Sequence, residues 1–300
     1  MNPMQIGKRI FFFVAVNILI IATISITLSL LGVRPYLTAY GIDYRSLMIF
    51  CLIWGMGGAF ISLALSRVMA KAMAGVRVID PMSARGDEAE LVQMVHRLAQ
   101  AVNLPRMPEV GIYDSPEVNA FATGPTASRA LVAVSSGILS VMNREELEAV
   151  LGHEISHVAN GDMVTMTLLQ GVMNAFVMFL ARAIAFALSA NSKRENRDMI
   201  NYMTVIVLQI VLSLFGAIVV AWFSRWREYR ADRGGARLAG PHKMIDALRA
   251  LQRAVERIGV DDRNKAVAAF KIAGRPRGFM ALFSSHPPLE DRIAALQRLG

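Results

Sequence analysis

The chain has 300 residues, of which 54% are hydrophobic, and its formal net charge is +9. That apolar content is too high for an ordinary soluble domain, and the lack of a basic-aromatic cluster or nucleic-acid fold signature excludes nucleic-acid binding. The single cysteine, Cys51, lies in an apolar segment, which excludes a disulfide framework and a cysteine-based zinc site.

Two uncharged apolar segments near the N-terminus account for much of the hydrophobic excess. Residues 10–31 and 47–65 contain no charged side chain. Each segment is long enough to cross a hydrocarbon core about 30 Å thick as an α-helix. The first follows Lys8 and Arg9, as a secretory signal would, but it is longer than a signal core and no small-x-small cleavage site follows it. We therefore predict two membrane-spanning helices, the first of them an uncleaved anchor.

The distribution of Lys and Arg around these segments indicates their orientation. Lys8 and Arg9 precede the first segment, and only Arg34 and Arg45 lie between the two. Four basic residues follow the second segment: Arg67, Lys71, Arg77 and Arg85. Because cytoplasmic segments collect Lys and Arg, we predict that the termini and the soluble part face the cytoplasm. The positive net charge also suits contact with anionic lipid.

A soluble unit is predicted from about residue 80 to residue 162. Apolar residues at helical spacing predict a helix over 87–102. Three short β-prone runs follow: 109–113, 118–123 and 130–134. Turn sequences separate these runs, so we predict a small β-meander. Asn143 with Glu146 three residues later is a capping-box pattern, which predicts that another helix begins there.

Residues 153–157 read His-Glu-Ile-Ser-His. Two histidines four residues apart lie on one face of an α-helix, so both imidazoles can bind one metal ion. A glutamate directly after the first histidine can reach a water molecule beside that ion and act as a general base. This HExxH pattern is typical of zinc peptidases and predicts His153 and His157 as ligands and Glu154 as the base.

Two further apolar segments follow the motif, at 163–190 and 200–223. Each contains a few polar residues, among them Arg182, which is costly at the centre of a bilayer. Two interpretations stay open: a pair of transmembrane helices, or a hydrophobic hairpin that lies in the interface or packs on the protein. In both cases the chain enters and leaves the hairpin on the same side.

A catalytic zinc site usually needs a third protein ligand. Glu228 and Asp232 lie four residues apart, on one helix face, shortly after the fourth apolar segment. An antiparallel hairpin brings Glu228 close to His157, at a membrane face and within about 10 Å of the apolar boundary. Glu228 is therefore the candidate third ligand and Asp232 a candidate to orient a histidine, although acidic pairs on helices are commonly solvated or paired with basic neighbours.

An ordered set of motifs carries a family resemblance. The motifs are Asn119-Ala-Phe-Ala-Thr-Gly124, Gly152-His-Glu-Ile-Ser-His-Val-Ala-Asn-Gly-Asp162, Glu228-Tyr-Arg-Ala-Asp232 and Ser285-His-Pro-Pro288. With the two N-terminal segments, they make the whole chain closely resemble the HtpX family of membrane-bound zinc peptidases, which is related to the CAAX prenyl proteases. The resemblance implies one Zn²⁺ per subunit, held by His153, His157 and Glu228. Asp232 would support this site.

The resemblance also implies a fold and a cellular role. The fold is α+β, mostly α: a polytopic membrane protein with a gluzincin-type metallopeptidase domain and up to four transmembrane helices. The implied location is the bacterial inner membrane, which the chain would cross several times. The charge distribution predicts that the active site faces the cytoplasm. The implied partners are the lipid bilayer and misfolded or damaged membrane-protein substrates, cleaved in protein quality control and the stress response. The sequence indicates no oligomeric state.

Two further site predictions carry alternatives. By analogy with the family, His286 is a candidate donor to the oxyanion that develops during cleavage; the alternative is a histidine that merely precedes a terminal helix. Asn119, Ala120 and Phe121 are candidates for an edge strand that pairs with an extended substrate, and a plain interior strand is the alternative.

These predictions divide the chain into four parts. They are 1–70 with two transmembrane helices, 71–162 with the meander and the HExxH helix, 163–223 with the hydrophobic hairpin, and 224–300 with the helical C-terminal part and the third ligand. A catalytically silent zinc-containing membrane scaffold is the alternative function, but a structural zinc site has no need of a base such as Glu154. A transporter or channel is disfavoured because too few charges lie within the apolar segments.

Overall fold

The structure, a computed structural model, describes residues 37–38, 41–190, 196–261 and 282–298, together with the isolated positions 18, 22 and 26. The predicted first membrane span, at 10–31, lies outside the described residues apart from those three positions. The chain forms two compact units. One comprises Met1–Ala64 and Thr165–Val220, and the other comprises Leu65–Val164 and Ala221–Gly300.

Helices dominate the described residues, as the sequence predicts. In chain order they are α1 (Tyr44–Met73), α2 (Asp87–Ala101), α3 (Ser136–Val141), α4 (Arg144–Ala159), α5 (Asp162–Ser189), α6 (Arg197–Ala239), α7 (Pro241–Asp261) and α8 (Leu289–Gln297). The strands are β1 (Leu37–Thr38), β2 (Gly41–Ile42), β3 (Arg77–Val78), β4 (Glu109–Tyr113), β5 (Ala120–Thr123) and β6 (Leu131–Ser135).

Three of the described helices, α1, α5 and α6, are long and apolar enough to cross a membrane. They contain the predicted second span and nearly all of the two segments that follow the HExxH motif. The shortest of the three, α5, has 28 residues, which corresponds to about 42 Å of helix against a hydrocarbon core of about 30 Å. Length and composition therefore favour the spanning interpretation of the hairpin.

Small residues allow α1 and α5 to approach closely within the first unit. A Cβ placed on Gly55 would lie 2.5 Å from the backbone nitrogen of Ala175, and one on Gly171 would lie 2.7 Å from the sulfur of Met56. Apolar helices that are surrounded by lipid gain little from the hydrophobic effect when they associate, so close backbone packing provides much of the attraction between them. The two glycines are therefore packing positions of this helix pair.

The second unit contains a four-stranded sheet with the order β3-β4-β6-β5. β4 pairs with β6 in parallel, while β3 and β5 lie antiparallel at the two edges. The predicted meander is therefore wrong in its connectivity, because β6 lies between β4 and β5. The two-residue strand β3 was not predicted at all.

Burial explains this strand order. All five residues of β6 are buried, whereas the four residues of β5 are only half-buried. A strand that is apolar on both faces is best covered in the interior of a sheet, where helices or other layers shield both sides. The consequence for function is that β5, which contains two of the three predicted substrate-strand residues, Ala120 and Phe121, becomes an edge strand.

The helix that carries the HExxH motif, α4, begins with the predicted capping box. The Asn143 side chain accepts hydrogen bonds from the backbone nitrogens of Glu145 and Glu146, and Glu146 in turn accepts one from the Asn143 backbone. Further along the helix, Leu151 and Ile155 are fully buried in the main hydrophobic core of the unit. The motif therefore lies on a helix that is fixed at its start and along its buried face.

Candidate functional site

Three buried side chains from two helices meet in the second unit. The Nε2 atoms of His153 and His157, both on α4, lie 3.1 Å apart. Glu228 on α6 is 1% exposed, and its carboxylate oxygens lie 3.5 Å from Nε2 of His153 and 3.3 Å from Nε2 of His157. One donor atom from each residue lies within 4.8 Å of the other two, so the three residues that the sequence predicted could hold a single metal ion.

Two glycines of α6 allow it to come this close to α4. A Cβ on Gly235 would lie 3.0 Å from the backbone nitrogen of His153, and a Cβ on Gly234 would lie 2.3 Å from the hydroxyl oxygen of Ser156. Larger residues at either position would push the helices apart, since the interior is already closely packed. Gly234 and Gly235 thus set the distance across which Glu228 reaches the histidines.

The chemistry of the donors fits a catalytic zinc ion. Two imidazole nitrogens and one glutamate oxygen form one of the common protein ligand sets of hydrolytic zinc sites, which leave a fourth position for water. Calcium and magnesium prefer sites made of oxygen atoms alone. All three side chains are buried, so the helices, rather than a mobile surface loop, hold them together.

Each histidine is backed by an aspartate that is paired with an arginine. Nδ1 of His153 lies 2.9 Å from Oδ1 of Asp232. Arg292, from the C-terminal helix α8, donates to both oxygens of Asp232, at 2.7 and 2.5 Å. Asp232 and Arg292 are both buried, so this is a desolvated, bidentate ion pair. It holds the carboxylate that orients the His153 ring.

The second histidine has the same arrangement. Nδ1 of His157 lies 2.6 Å from Oδ2 of the fully buried Asp162, and Arg230 of α6 pairs with the other oxygen of Asp162. Gly161, with a φ of +67°, makes the turn that returns the chain towards His157. Carboxylates in this position fix the ring orientation of metal-binding histidines and raise their basicity.

These charges raise the pKa of the His153 imidazole. Burial lowers the pKa of the His153 imidazole, but its contacts with Asp232 and Glu228 outweigh burial and raise the pKa to about 9. At neutral pH both ring nitrogens of His153 are therefore protonated in the metal-free protein. A metal ion that binds Nε2 must displace the proton on that nitrogen, so metal binding and proton release are coupled.

Glu154, the predicted general base, is half-buried next to the three donor residues. Its Oε2 accepts a hydrogen bond of 2.9 Å from the backbone nitrogen of Ala122 in β5. This hydrogen bond connects the HExxH helix to the sheet edge, which no sequence pattern had indicated. The carboxylate of the residue that follows His153 is thereby held at the strand.

In the part of the chain that the structure describes, the predicted substrate strand pairs only with β6 and so lies at an edge of the sheet. Asn119 faces β6, because its carbonyl accepts a hydrogen bond from the backbone nitrogen of Ser135. Side chains and hydrogen-bonding groups alternate along a strand, and Ala122 donates outward to Glu154. The backbone groups that point away from the sheet therefore belong to Ala120 and Ala122, so the predicted set includes one of them and omits the other.

His286 reaches the site from the segment before α8. Its Nδ1 lies 2.9 Å from Oε2 of Glu228, while 54% of its side chain is exposed. The geometry gives His286 a contact with the donor set, which a histidine that merely precedes a helix would not need. In contrast, His96 hydrogen bonds to the carbonyl of Pro108 at 3.3 Å and does not contribute to the site.

Several residues of the site were not predicted individually from the sequence. They are Ala122, Asp162, Arg230 and Arg292. Asp162 could have been found from the sequence. It lies five residues after His157 and is the last residue of the motif that begins at Gly152. No sequence pattern marked the arginines of the site. Surface arginines are common on helices, and the partners of these arginines lie far away in sequence.

Comparisons with known proteins show a family, close relatives and a shared fold. The family model described as peptidase family M48 matches residues 86–299. A relative named "Protease HtpX homolog" from Methylacidiphilum infernorum is 52% identical over 300 residues, with 97% of this chain and 99% of the relative covered. A relative of the same name from Bacillus subtilis is 51% identical over 298 residues, with the same coverage. The crystal structure of S. mikatae Ste24p shares the fold, with a TM-score of 0.64, 18% identity and coverage of 98% of this chain; this chain spans 65% of that one.

Proposed function

We propose that this chain, which belongs to peptidase family M48, is a zinc endopeptidase that cleaves misfolded or damaged membrane proteins at the cytoplasmic face of the bacterial inner membrane. Family membership makes it a metallopeptidase, and its HtpX relatives and long apolar helices make it a bacterial membrane protein. The observation that carries the proposal is the buried triangle of His153, His157 and Glu228 beside Glu154.

Zinc is the metal we propose for the triangle, with His153, His157 and Glu228 as its ligands. This mixed nitrogen and oxygen donor set suits zinc better than the harder divalent cations. A bound zinc ion would lower the pKa of water at the site towards about 7 and polarise the carbonyl of the bond to be cut. Asp232 and Asp162 hold the two rings so that Nε2 of each faces the centre of the triangle.

Glu154 is the proposed general base. Its carboxylate takes a proton from water as the water oxygen attacks the peptide carbonyl carbon, and then gives that proton to the leaving amine. The hydrogen bond from Ala122 keeps the carboxylate near the histidines without making it a ligand. This role requires the charge of Glu154 and not only its shape.

An extended substrate is proposed to pair with the outward backbone groups of β5. Strand addition to a sheet edge binds a peptide through its backbone and so suits unfolded chains of many sequences. Because Ala122 contacts Glu154 directly, a peptide on this edge lies beside the base. His286, exposed at the rim and 2.9 Å from Glu228, is the proposed donor to the oxyanion.

The position of the site along the chain supports membrane-protein substrates. Glu228 lies near the C-terminal end of α6, the helix that contains the predicted segment 200–223. Trp222 lies at the end of that segment and Trp226 lies between the segment and Glu228; both side chains are exposed, and tryptophan is enriched at membrane interfaces. The basic residues around the N-terminal segments favour the cytoplasmic side.

Metal removal tests the proposed chemistry. We expect 1,10-phenanthroline to abolish cleavage of a heat-denatured membrane protein by the full-length enzyme in detergent. One equivalent of Zn²⁺ should restore cleavage, because the proposed mechanism needs a metal ion on the three donors to lower the pKa of water. Mg²⁺ should not restore cleavage, since it prefers an octahedron of oxygen ligands. Gel analysis of the substrate, with metal content measured in parallel, would follow the removal and the return of the metal. Full cleavage by protein that has lost its metal would contradict the proposal.

Cysteine labelling tests the proposed topology. In a Cys51→Ala background, we expect Ser192→Cys to react with a membrane-impermeant maleimide on intact spheroplasts, because two spanning helices would carry residue 192 across the bilayer. Ser140→Cys, exposed on α3, should react only after permeabilisation. Labelling of both positions only after permeabilisation would contradict the spanning hairpin.

A further inference from the structure

One face of α6 contacts the C-terminal segment at three successive points. The residues on this face are Arg225, Glu228 and Asp232, spaced three and four apart. Arg225 contacts the backbone near residue 283, Glu228 contacts His286, and Asp232 contacts Arg292. The segment from 282 to 292 thus follows α6, and each turn of the helix holds a different part of it.

The contact at Arg225 involves only backbone acceptors. Its Nη1 donates to the carbonyl of Leu282 at 3.1 Å and to that of Ser284 at 2.7 Å. The Ser284 hydroxyl then donates to the carbonyl of His286 at 2.6 Å. A chain of short hydrogen bonds therefore runs from one guanidinium nitrogen to the backbone of the histidine that touches Glu228.

We infer that Arg225 is a positioning residue that holds His286 against Glu228 and so fixes its place at the rim of the active site. The inference rests on the proposed function of His286 as the oxyanion donor. Because the side chain of His286 is more than half exposed, packing alone does not fix it. The hydrogen bonds from Arg225 to the backbone on its N-terminal side supply the missing constraint.

The docking of α8 does not depend on Arg225. Leu296 and Arg292 are buried, and the bidentate contact with Asp232 attaches the helix to α6 by itself. Removal of the Arg225 side chain should therefore loosen residues 282–286 while α8 stays in place. This separation distinguishes a positioning role from a general contribution to folding.

Kinetics of the full-length zinc enzyme provide the first test. We expect Arg225→Ala and His286→Ala each to lower kcat about 10²-fold with little change in KM, since a donor displaced by about 1 Å loses most of its effect. The double variant should be no slower than either single variant, because both changes remove one function. Arg225→Lys should restore most of kcat, since both hydrogen bonds come from a single nitrogen. Arg233→Ala, an exposed position on the same helix, is the matched control.

Chemical modification of the metal-free protein provides a test that does not depend on activity. We expect diethyl pyrocarbonate to modify His286 several-fold faster in Arg225→Ala than in the wild type, because the ring has left Glu228. His242, exposed on α7, serves as the internal reference, and mass spectrometry measures both sites. Unchanged modification of His286 in Arg225→Ala would overturn the inference whatever the kinetics show. Loss of cleavage by His286→Ala but not by Arg225→Ala would also overturn it. A wild type that cleaves no protein would instead contradict the proposed function, and the modification rates would still decide the role of Arg225.

Discussion

We expect the Glu154→Gln variant to insert into the membrane and bind its metal like the wild type but to cleave a membrane-protein substrate about 10²- to 10⁴-fold more slowly. Glutamine has the shape of glutamate and can still accept the hydrogen bond from Ala122, but its neutral amide cannot take a proton from water. Glu154 is not one of the three donor residues, so metal content should not change. Cleavage rates and metal-to-protein ratios of the two purified proteins would be compared side by side.

A matched substitution on the same helix serves as the control. Glu145 lies in the first turn of α4, its side chain is 71% exposed, and Glu145→Gln should leave cleavage unchanged. Cleavage by Glu154→Gln at the wild-type rate would contradict the general-base mechanism. The scaffold alternative makes a different prediction, since it expects no cleavage from the wild type either.

Much of the donor set was predictable because helical periodicity converts sequence spacing into geometry. His153 and His157 lie four residues apart on an uninterrupted helix, and the structure brings their Nε2 atoms to 3.1 Å. Glu228 could be predicted from the sequence for a different reason. The apolar segments between the motif and Glu228 lie in α5 and α6, which pack on each other, since a Cβ on Gly216 would lie 3.4 Å from the terminal carbon of Met173. The two helices therefore bring Glu228 back towards the motif despite the long stretch of sequence between them.

The charges around the donor set could not be predicted in the same way. Arg292 lies 60 residues from its partner Asp232, and Arg230 lies 68 residues from Asp162. No periodicity relates such positions, and only the packed tertiary structure selects one arginine among the many on these helices. The burial that makes these ion pairs important is likewise a property of the fold and not of local sequence.

The sheet, too, could be predicted from the sequence only in part. The three longer strands of the soluble unit were located from β-prone runs and turns, to within two residues at each end. The order of the strands in the sheet was not predicted, because local sequence does not show which strand is covered on both faces by the rest of the molecule. β6 takes the interior position through burial, and β3, with two residues, is too short to give a pattern.

We expect Arg292→Met to lower the free energy of unfolding by about 3–5 kcal/mol, because it leaves the buried carboxylate of Asp232 without its counter-charge. Metal affinity should fall about 10- to 100-fold, since the carboxylate that orients His153 loses its fixed position. Denaturant titration of the full-length chain in detergent and competition with a zinc-binding dye would measure the two effects. Arg298→Met, exposed one residue beyond α8, should change stability by no more than about 0.5 kcal/mol.

A double substitution separates the cost of an unpaired charge from the orientation of the ligand. Asp232→Asn combined with Arg292→Met removes both charges, so we expect it to be more stable than Arg292→Met alone. Metal affinity should stay low in the double variant, because a neutral amide supports the His153 imidazole less well than a carboxylate does. Recovery of both properties together would mean that the ion pair only stabilises the fold. Recovery of stability alone would mean that the C-terminal helix, through Arg292 and Asp232, also tunes the metal centre.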